Sequence, residues 1–442
     1  MDSRVGKFLL LSMDYQNRLL SAIPGGAHTY SRGFDQFPSN APQILDRGKG
    51  AYVYDSHDRR FLDYGMALRA VTIGYAEDEI DNAAIEEIRR GNNLTRPSII
   101  ELQAAERIIE LIDSIEMVKF TKNGSTAVTA AVKLARAFTG RDFVARCAEH
   151  PFFSFDDWFI GSTVIPRGTT AENREQTKSF HYNDLESLEK LIAEFPKKFA
   201  CVVLEAATTE EPAPGFLEGI QKLCHSNGIL FILDEMITGF RWDLKGAQHK
   251  YAVRPDLSTF GKSMANGYSL ACVGGRRDVM QLGSIEFEGA ERVFLLSSTH
   301  GAEMSSLGAF VATTNYLEKN QVVEHLYKYG AELKKILKAL SIDHGLESNF
   351  IVGGPDCSPY YQCLDSSGTI SLPLRTLFAQ EMINNGVLMP WIALCHRHGD
   401  VELEITRGAV DLSLSVIRKA IDEGIDGFLE GPSIKPVFRK FN

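Results

Sequence analysis

Between about residues 77 and 315, short apolar runs alternate with stretches of helical periodicity, and that order leaves few folds open. Met117–Thr121, Phe143–Arg146, Ala200–Leu204 and Ile229–Leu233 are too short for helices and are bounded by turn residues, whereas Ser125–Thr139 and Leu185–Phe195 carry apolar residues at helical spacing. Strands and helices in alternation bury both faces of a sheet under helices and run the strands mostly parallel. The expected class is α/β, with a mostly parallel central sheet and helices on both faces.

The flanks read differently. Residues 43–64 hold three short β-prone runs split by turn residues, an antiparallel meander. Towards the other end come a long helical pattern around Met304–Leu340, a β-prone run at Tyr360–Leu364 and a helix near Val401–Glu423. The division expected is an N-terminal helix and meander over 1–76, a large domain over 77–315 and a small α+β domain over 316–442. Phe8–Leu11, followed by Asp14 and Arg18, reads as part of a first amphipathic helix rather than a signal peptide.

Composition bounds the functional classes. With 44% hydrophobic and 24% charged residues, the chain has ordinary globular proportions. A net charge of −10 disfavours nucleic acid or an anionic membrane as a partner, and no apolar stretch reaches the roughly 18–20 residues that span a bilayer. The seven cysteines are scattered without a CxxC spacing, which suggests neither a disulfide framework nor a metal site but reduced thiols in a cytoplasmic protein.

Three segments carry chemistry. Gly228–Leu233 is an apolar run that ends in Asp234-Glu235, and in an open α/β sheet the carboxyl ends of strands face the ligand crevice. An acid ending a strand is by itself more often a solvated turn or a cap. Downstream comes Ser258-Thr259-Phe260-Gly261-Lys262-Ser263, where a lysine among small residues can enter a cavity; desolvation there lowers its pKa and frees the amine as a nucleophile. Upstream, Met117–Thr121 runs into Asn123-Gly124-Ser125-Thr126 and a helix whose first backbone amides suit a phosphate, or are simply capped.

In this combination and order the segments resemble the class III, fold-type I pyridoxal-phosphate aminotransferases, and most of all their glutamate-1-semialdehyde aminomutase-like branch. Pro24-Gly25-Gly26, the Ala51–Tyr64 meander, Gly124-Ser125-Thr126, Asp234–Arg241, Phe260-Gly261-Lys262 and Gly274–Arg277 carry the resemblance, which covers nearly the whole chain. It implies a seven-stranded-type central sheet and a small α+β domain built from both ends of the chain. It makes Lys262 the lysine that carries pyridoxal 5′-phosphate, and Asp234 the partner of the pyridine nitrogen, keeping it protonated so that the ring accepts electron density. Once the substrate amine replaces it, Lys262 becomes the base that moves the substrate proton.

The same resemblance assigns Gly124, Ser125 and Thr126 to the phosphate. It sets His150 against the cofactor ring, with Phe152 as the rival. Thr299, within Ser297–Glu303, becomes a phosphate ligand donated to the other subunit of a homodimer. Arg32, at the aminomutase spacing from Pro24, is matched to substrate binding. Departures from the branch point to a remodelled pocket: Ala67-Leu68-Arg69-Ala70 replaces a tryptophan-containing run and adds Arg69 as a second cation, and Phe152–Trp158 replaces a small turn.

The function expected is transfer of an amino group from an amino acid, glutamate foremost, to an aldehyde or ketone of a polar metabolite, sugar-like ones included. Glutamate-1-semialdehyde aminomutase is the alternative within the class, and a catalytically inactive binding protein on the same fold is the alternative outside it. A nicotinamide oxidoreductase is disfavoured, because no G-x-G-x-x-G follows the first strand.

Overall fold

The computed structural model describes residues 14–286, 288–289 and 291–442, so the Phe8–Leu11 run lies outside the described residues. The chain divides into two units, one taking the sequence up to Leu68 together with Lys328–Asn442, the other Arg69–Tyr327.

In the first unit the three β-prone runs form β1 (Leu45–Lys49), β2 (Tyr52–Asp55) and β3 (Arg60–Asp63), paired antiparallel in that order. The second unit holds β4 (Met117–Thr121), β5 (Phe143–Cys147), β6 (Thr177–Phe180), β7 (Phe199–Glu205), β8 (Leu230–Asp234), β9 (Leu257–Phe260) and β10 (Ala271–Gly275). The first unit is completed by a hairpin of β11 (Phe350–Gly353) and β12 (Tyr360–Cys363), by the helix Asp400–Glu423, and by β13 (Val387–Leu388), which lies parallel to β3.

The large sheet runs β4-β10-β9-β8-β7-β5-β6, and β10 alone opposes the other six strands. Every residue of β7 and β8 is buried, as expected of central strands covered on both faces. The helix Gly124–Thr139 buries Ala127, Val128, Ala131, Leu134 and Ala135 within the unit's core. Asn123 caps its start by accepting from the Thr126 amide, and Gly140, at φ +64°, ends it in the left-handed conformation that glycine adopts without strain.

β6, β9 and β10 are not evident from periodicity. Thr-Lys-Ser-Phe and Leu-Ser-Thr-Phe are four-residue runs with polar centres, and Ala-Cys-Val-Gly-Gly ends in glycines that weaken a strand signal. Those glycines answer to packing: a Cβ on Gly275 would lie 2.2 Å from the Asp256 carbonyl oxygen. The long helical pattern at Met304–Leu340 is two helices, Met304–Lys319 and Val322–Asp343, separated at Gln321, whose φ of +49° a right-handed helix cannot contain.

Because six strands run the same way, their carboxyl ends share one edge of the sheet. Glu205 of β7, Asp234 of β8 and Thr259 of β9 stand in register there, on neighbouring strands about 4.8 Å apart.

Candidate active site

The acids at the ends of β7 and β8 differ in how their oxygens are engaged. Glu235 accepts from the Ala247 and Gln248 amides at 2.9 Å each, from Thr238 Oγ1 at 2.5 Å and from Gln248 Nε2 at 3.3 Å, so its oxygens are spent on holding the loop that follows β8. Asp234 is buried, and both of its hydrogen bonds, from Thr259 Oγ1 and the Met236 amide at 3.0 Å each, end on Oδ1; Oδ2 is left available. Burial pushes the Asp234 carboxyl up to about 6, against the pull of Lys262 and of those two bonds.

Glu205, beside Asp234, is the acid that motif reading missed. It is buried, and its Oε2 has no hydrogen-bond partner. Burial and then the Asp234 carboxylate push it up to about 8, while Lys262 and Arg69 pull the other way. The signal was present: Cys201–Leu204 is an apolar run ending in an acid, the same pattern that singled out Asp234.

Lys262 opens the short turn Lys262–Ala265 directly after β9, with φ +43°, a left-handed conformation that non-glycine residues hold only when their surroundings enforce it. Asn266, which ends the turn, accepts from the Thr72 and Ile73 amides at 3.1 and 3.0 Å and donates to the Gly74 carbonyl at 2.9 Å. Burial lowers the lysine's pKa, opposed by Glu205 and Asp234 and reinforced by Arg69 and Arg241. A less basic amine among two carboxyls and two guanidiniums has the character required of a nucleophile and proton carrier.

The approach to Arg69 is strained. Met66, Ala67, Leu68 and Arg69 have φ values of +41°, +48°, +62° and +68°, one left-handed turn built from side-chain-bearing residues. Each such residue costs roughly 1–2 kcal/mol. Its entry is held by the Asp63 carboxylate, which accepts from the Gly65 and Met66 amides at 2.7 and 2.9 Å. At its exit the Arg69 carbonyl accepts from Arg241 at 3.2 Å and from Ser263 Oγ at 3.4 Å, and Arg241 also donates to Thr72 Oγ1 at 3.0 Å. Arg241, fully buried and also missed as a site residue, thus ties the Arg69–Thr72 segment to the lysine turn.

At the head of the Gly124–Thr139 helix the Gly124 and Ser125 amides point out of the hydrogen-bond ladder, as first-turn amides must. The Thr126 amide and hydroxyl both go to Asn123 Oδ1, at 2.9 and 3.0 Å, and Ser125 Oγ accepts from the Phe155 amide at 3.2 Å. A Cβ on Gly124 would meet Met236 Sδ at 2.8 Å, and one on Gly261 would meet the same sulfur at 2.6 Å. The helix head, the turn after Asp234 and the lysine turn therefore converge on Met236.

His150 is buried, and its Nδ1 accepts from the Glu205 amide at 3.0 Å. That assigns the proton to Nε2, which is buried without a partner. Phe152 is instead 46% exposed and packs edge-on against Phe159. Thr299 is exposed, and its carbonyl accepts from Asn93 Nδ2 at 2.9 Å. Arg32 belongs to the other unit, on the short turn Tyr30–Arg32. Among the described residues there is no group of His, Cys, Asp and Glu able to hold a metal ion, and no helix is long and apolar enough to cross a membrane.

Comparison with known proteins bears on the family and the fold. The model of the aminotransferase class-III family matches residues 35–348. A 3-aminobutyryl-CoA aminotransferase of Cloacimonas acidaminovorans (strain Evry) is 32% identical in an alignment 427 positions long that covers 93% of this chain and 99% of that protein. The FumI protein of Sphingopyxis sp. MTA144, solved in its PLP internal aldimine form, matches with a TM-score of 0.85 and 25% identity over 93% of this chain and 97% of its own. A glutamate-1-semialdehyde-aminomutase of Pseudomonas aeruginosa PAO1 matches with a TM-score of 0.81 over 92% and 94% of the two chains, but at 20% identity the likeness is one of fold.

Proposed function

Because this chain belongs to the class III aminotransferases, enzymes that work with pyridoxal phosphate, we propose that it moves an amino group from an amino acid, glutamate the expected donor, to the aldehyde or ketone carbon of a polar metabolite. The observation that carries this reading is the pair of Asp234, ending β8, and Lys262, opening the turn after β9, with the lysine's pKa lowered by burial.

The residues present fit the cofactor. Asp234 Oδ2 is an acceptor for a protonated ring nitrogen, the Gly124 and Ser125 amides with the Ser125 hydroxyl suit a phosphate, which Thr126 would join by turning its hydroxyl from Asn123, and Lys262 suits the carbonyl carbon. The unpartnered His150 Nε2–H favours His150 over Phe152 beside the cofactor ring. Pyridoxal phosphate, when bound, supplies the electron sink that makes the proton on the amine-bearing carbon removable. Lys262 takes that proton on Nζ and returns it, a task suited to an amine whose pKa burial has lowered. Asp234, retaining its negative charge, holds the proton on the ring nitrogen. Arg32 and Arg69 are proposed as substrate-binding cations.

The relative's name widens the search for the acceptor: 3-aminobutyryl-CoA carries its amine β to a thioester, so 3-oxoacyl thioesters belong beside sugar-like aldehydes and ketones. Glutamate-1-semialdehyde aminomutase is a second reading, favoured by the spacing of Arg32 from Pro24 and opposed by Ala67–Ala70 in place of the branch's tryptophan-containing run. We propose further a cytoplasmic homodimer. Its support is the exposure of Thr299, and of Ile88, Ile99 and Leu102 on two neighbouring helices. A half-reaction screen tests the function: amino acids are offered to the cofactor-loaded protein, and carbonyl compounds to the aminated form. Conversion by glutamate and recovery by a polar carbonyl compound is expected. A protein that no amine converts is not an aminotransferase.

A further inference from the structure

We propose that Arg69 determines substrate specificity by binding an anionic oxygen group, a carboxylate or a phosphate, on the substrate that reacts at Lys262. The inference rests on the aminotransferase reading of the site and names the chemical class of its substrate.

The hydrogen bonds described at the left-handed turn end on backbone atoms: the Asp63 carboxylate accepts from the Gly65 and Met66 amides, and Arg241 and Ser263 donate to the Arg69 carbonyl. The Arg69 guanidinium takes no part in holding the turn it sits on. Its Nε is out of solvent without a hydrogen-bond partner, whereas Arg241 donates through Nη2 to the Arg69 carbonyl and to Thr72 Oγ1. A strained turn that spends its supports on placing an unbonded guanidinium reads as a binding device.

The neighbours fit an incoming anion. Glu205 and Arg69 form no ion pair, and Glu205 Oε2 and Arg69 Nε are both buried and unsatisfied. An anionic group bonded to Arg69 satisfies the donor with a charge-assisted hydrogen bond. Because burial favours the protonated form of Glu205, that carboxyl does not repel the anion at neutral pH. Asn266 pins the Thr72–Gly74 backbone to the turn that begins with Lys262, which fixes Arg69 relative to the reacting amine.

The test uses the cofactor-loaded protein and its Arg69→Gln and Arg69→Lys variants, titrated calorimetrically with glutarate, inorganic phosphate and neutral glutaramide. Losing one charge-assisted hydrogen bond weakens binding about 10- to 100-fold. We expect Arg69→Gln to weaken anion binding by that factor, Arg69→Lys by less, and neither to change the response to glutaramide. A response to glutarate alone identifies a carboxylate subsite, and a response to phosphate alone a phosphate subsite. Equal anion affinity in the parent and Arg69→Gln, or a parent that binds neither anion, overturns the inference. So does loss of cofactor in Arg69→Gln, since the side chain would then serve the cofactor or the fold. The aminotransferase reading is checked separately on the parent by bleaching of the cofactor absorbance with amino donors, and fails if no donor bleaches it.

Discussion

Glu205→Gln should stabilise the cofactor-free protein in a pH-dependent way. The carboxyl is 3% exposed, and burial with the neighbouring Asp234 raises its pKa from the ordinary 4.5 to about 8. Between those values the folded chain holds a proton that the unfolded chain has released, so folding stability falls as pH rises from 4.5 and the loss is complete above 8. At about 1.4 kcal/mol per tenfold, the loss has a ceiling of about 5 kcal/mol. Glutamine keeps the shape and cannot ionise, but its buried amide introduces donors whose desolvation costs about 1–3 kcal/mol at every pH. The diagnostic quantity is therefore the change, from pH 5 to pH 8.5, in the stability difference between variant and parent: the constant amide cost cancels, and a gain of several kcal/mol by the variant remains. Urea unfolding of both cofactor-free proteins across that range measures it. A difference that does not vary with pH would mean that Glu205 is ionised in the folded protein, and the account of the buried cluster would be wrong.

Asp234→Asn should retain the fold and most of the cofactor but lose nearly all turnover, because a neutral amide cannot keep the ring nitrogen protonated; Glu235→Gln, by contrast, should lower the unfolding midpoint, since its carboxylate accepts four hydrogen bonds. Unfolding curves and half-reaction rates on the two variants separate these roles. Thr299→Val should release cofactor about tenfold more readily, the worth of one hydrogen bond to a charged group, and loosen the dimer with it. Sedimentation with cofactor release across protein concentrations checks this, and a monomer that holds cofactor as tightly as the dimer rules out a shared site.

What the sequence disclosed, and what it hid, follows from range. Met117–Thr121 with the helix after it and the Asp234 strand are local patterns legible from periodicity and turn residues, and the lysine segment is legible from the small residues around Lys262 although its strand is not. β10 was not, because a strand of small residues that opposes its neighbours is defined by what packs against it. The left-handed turn at Met66–Arg69 was equally hidden. No glycine or asparagine within it announces positive φ, and it depends on acceptors and donors brought from Asp63, Arg241 and Ser263. Motif reading reached Asp234 and Lys262 but passed over Glu205, whose importance comes from its register beside Asp234 and from its unpartnered oxygen. The two members of the Asp234-Glu235 pair look interchangeable in sequence, and only their hydrogen bonds tell the acid with an available oxygen from the one whose oxygens are both engaged.

The central claim is that Lys262 carries the cofactor through which the amino group passes. Borohydride reduction of the cofactor-loaded protein, followed by digestion and mass spectrometry, tests it most directly, because reduction fixes the cofactor to whichever amine holds it. We expect the mass increment on Lys262 alone, with none on the Lys262→Ala variant; an increment on another lysine, or none on the parent, would contradict that role for Lys262.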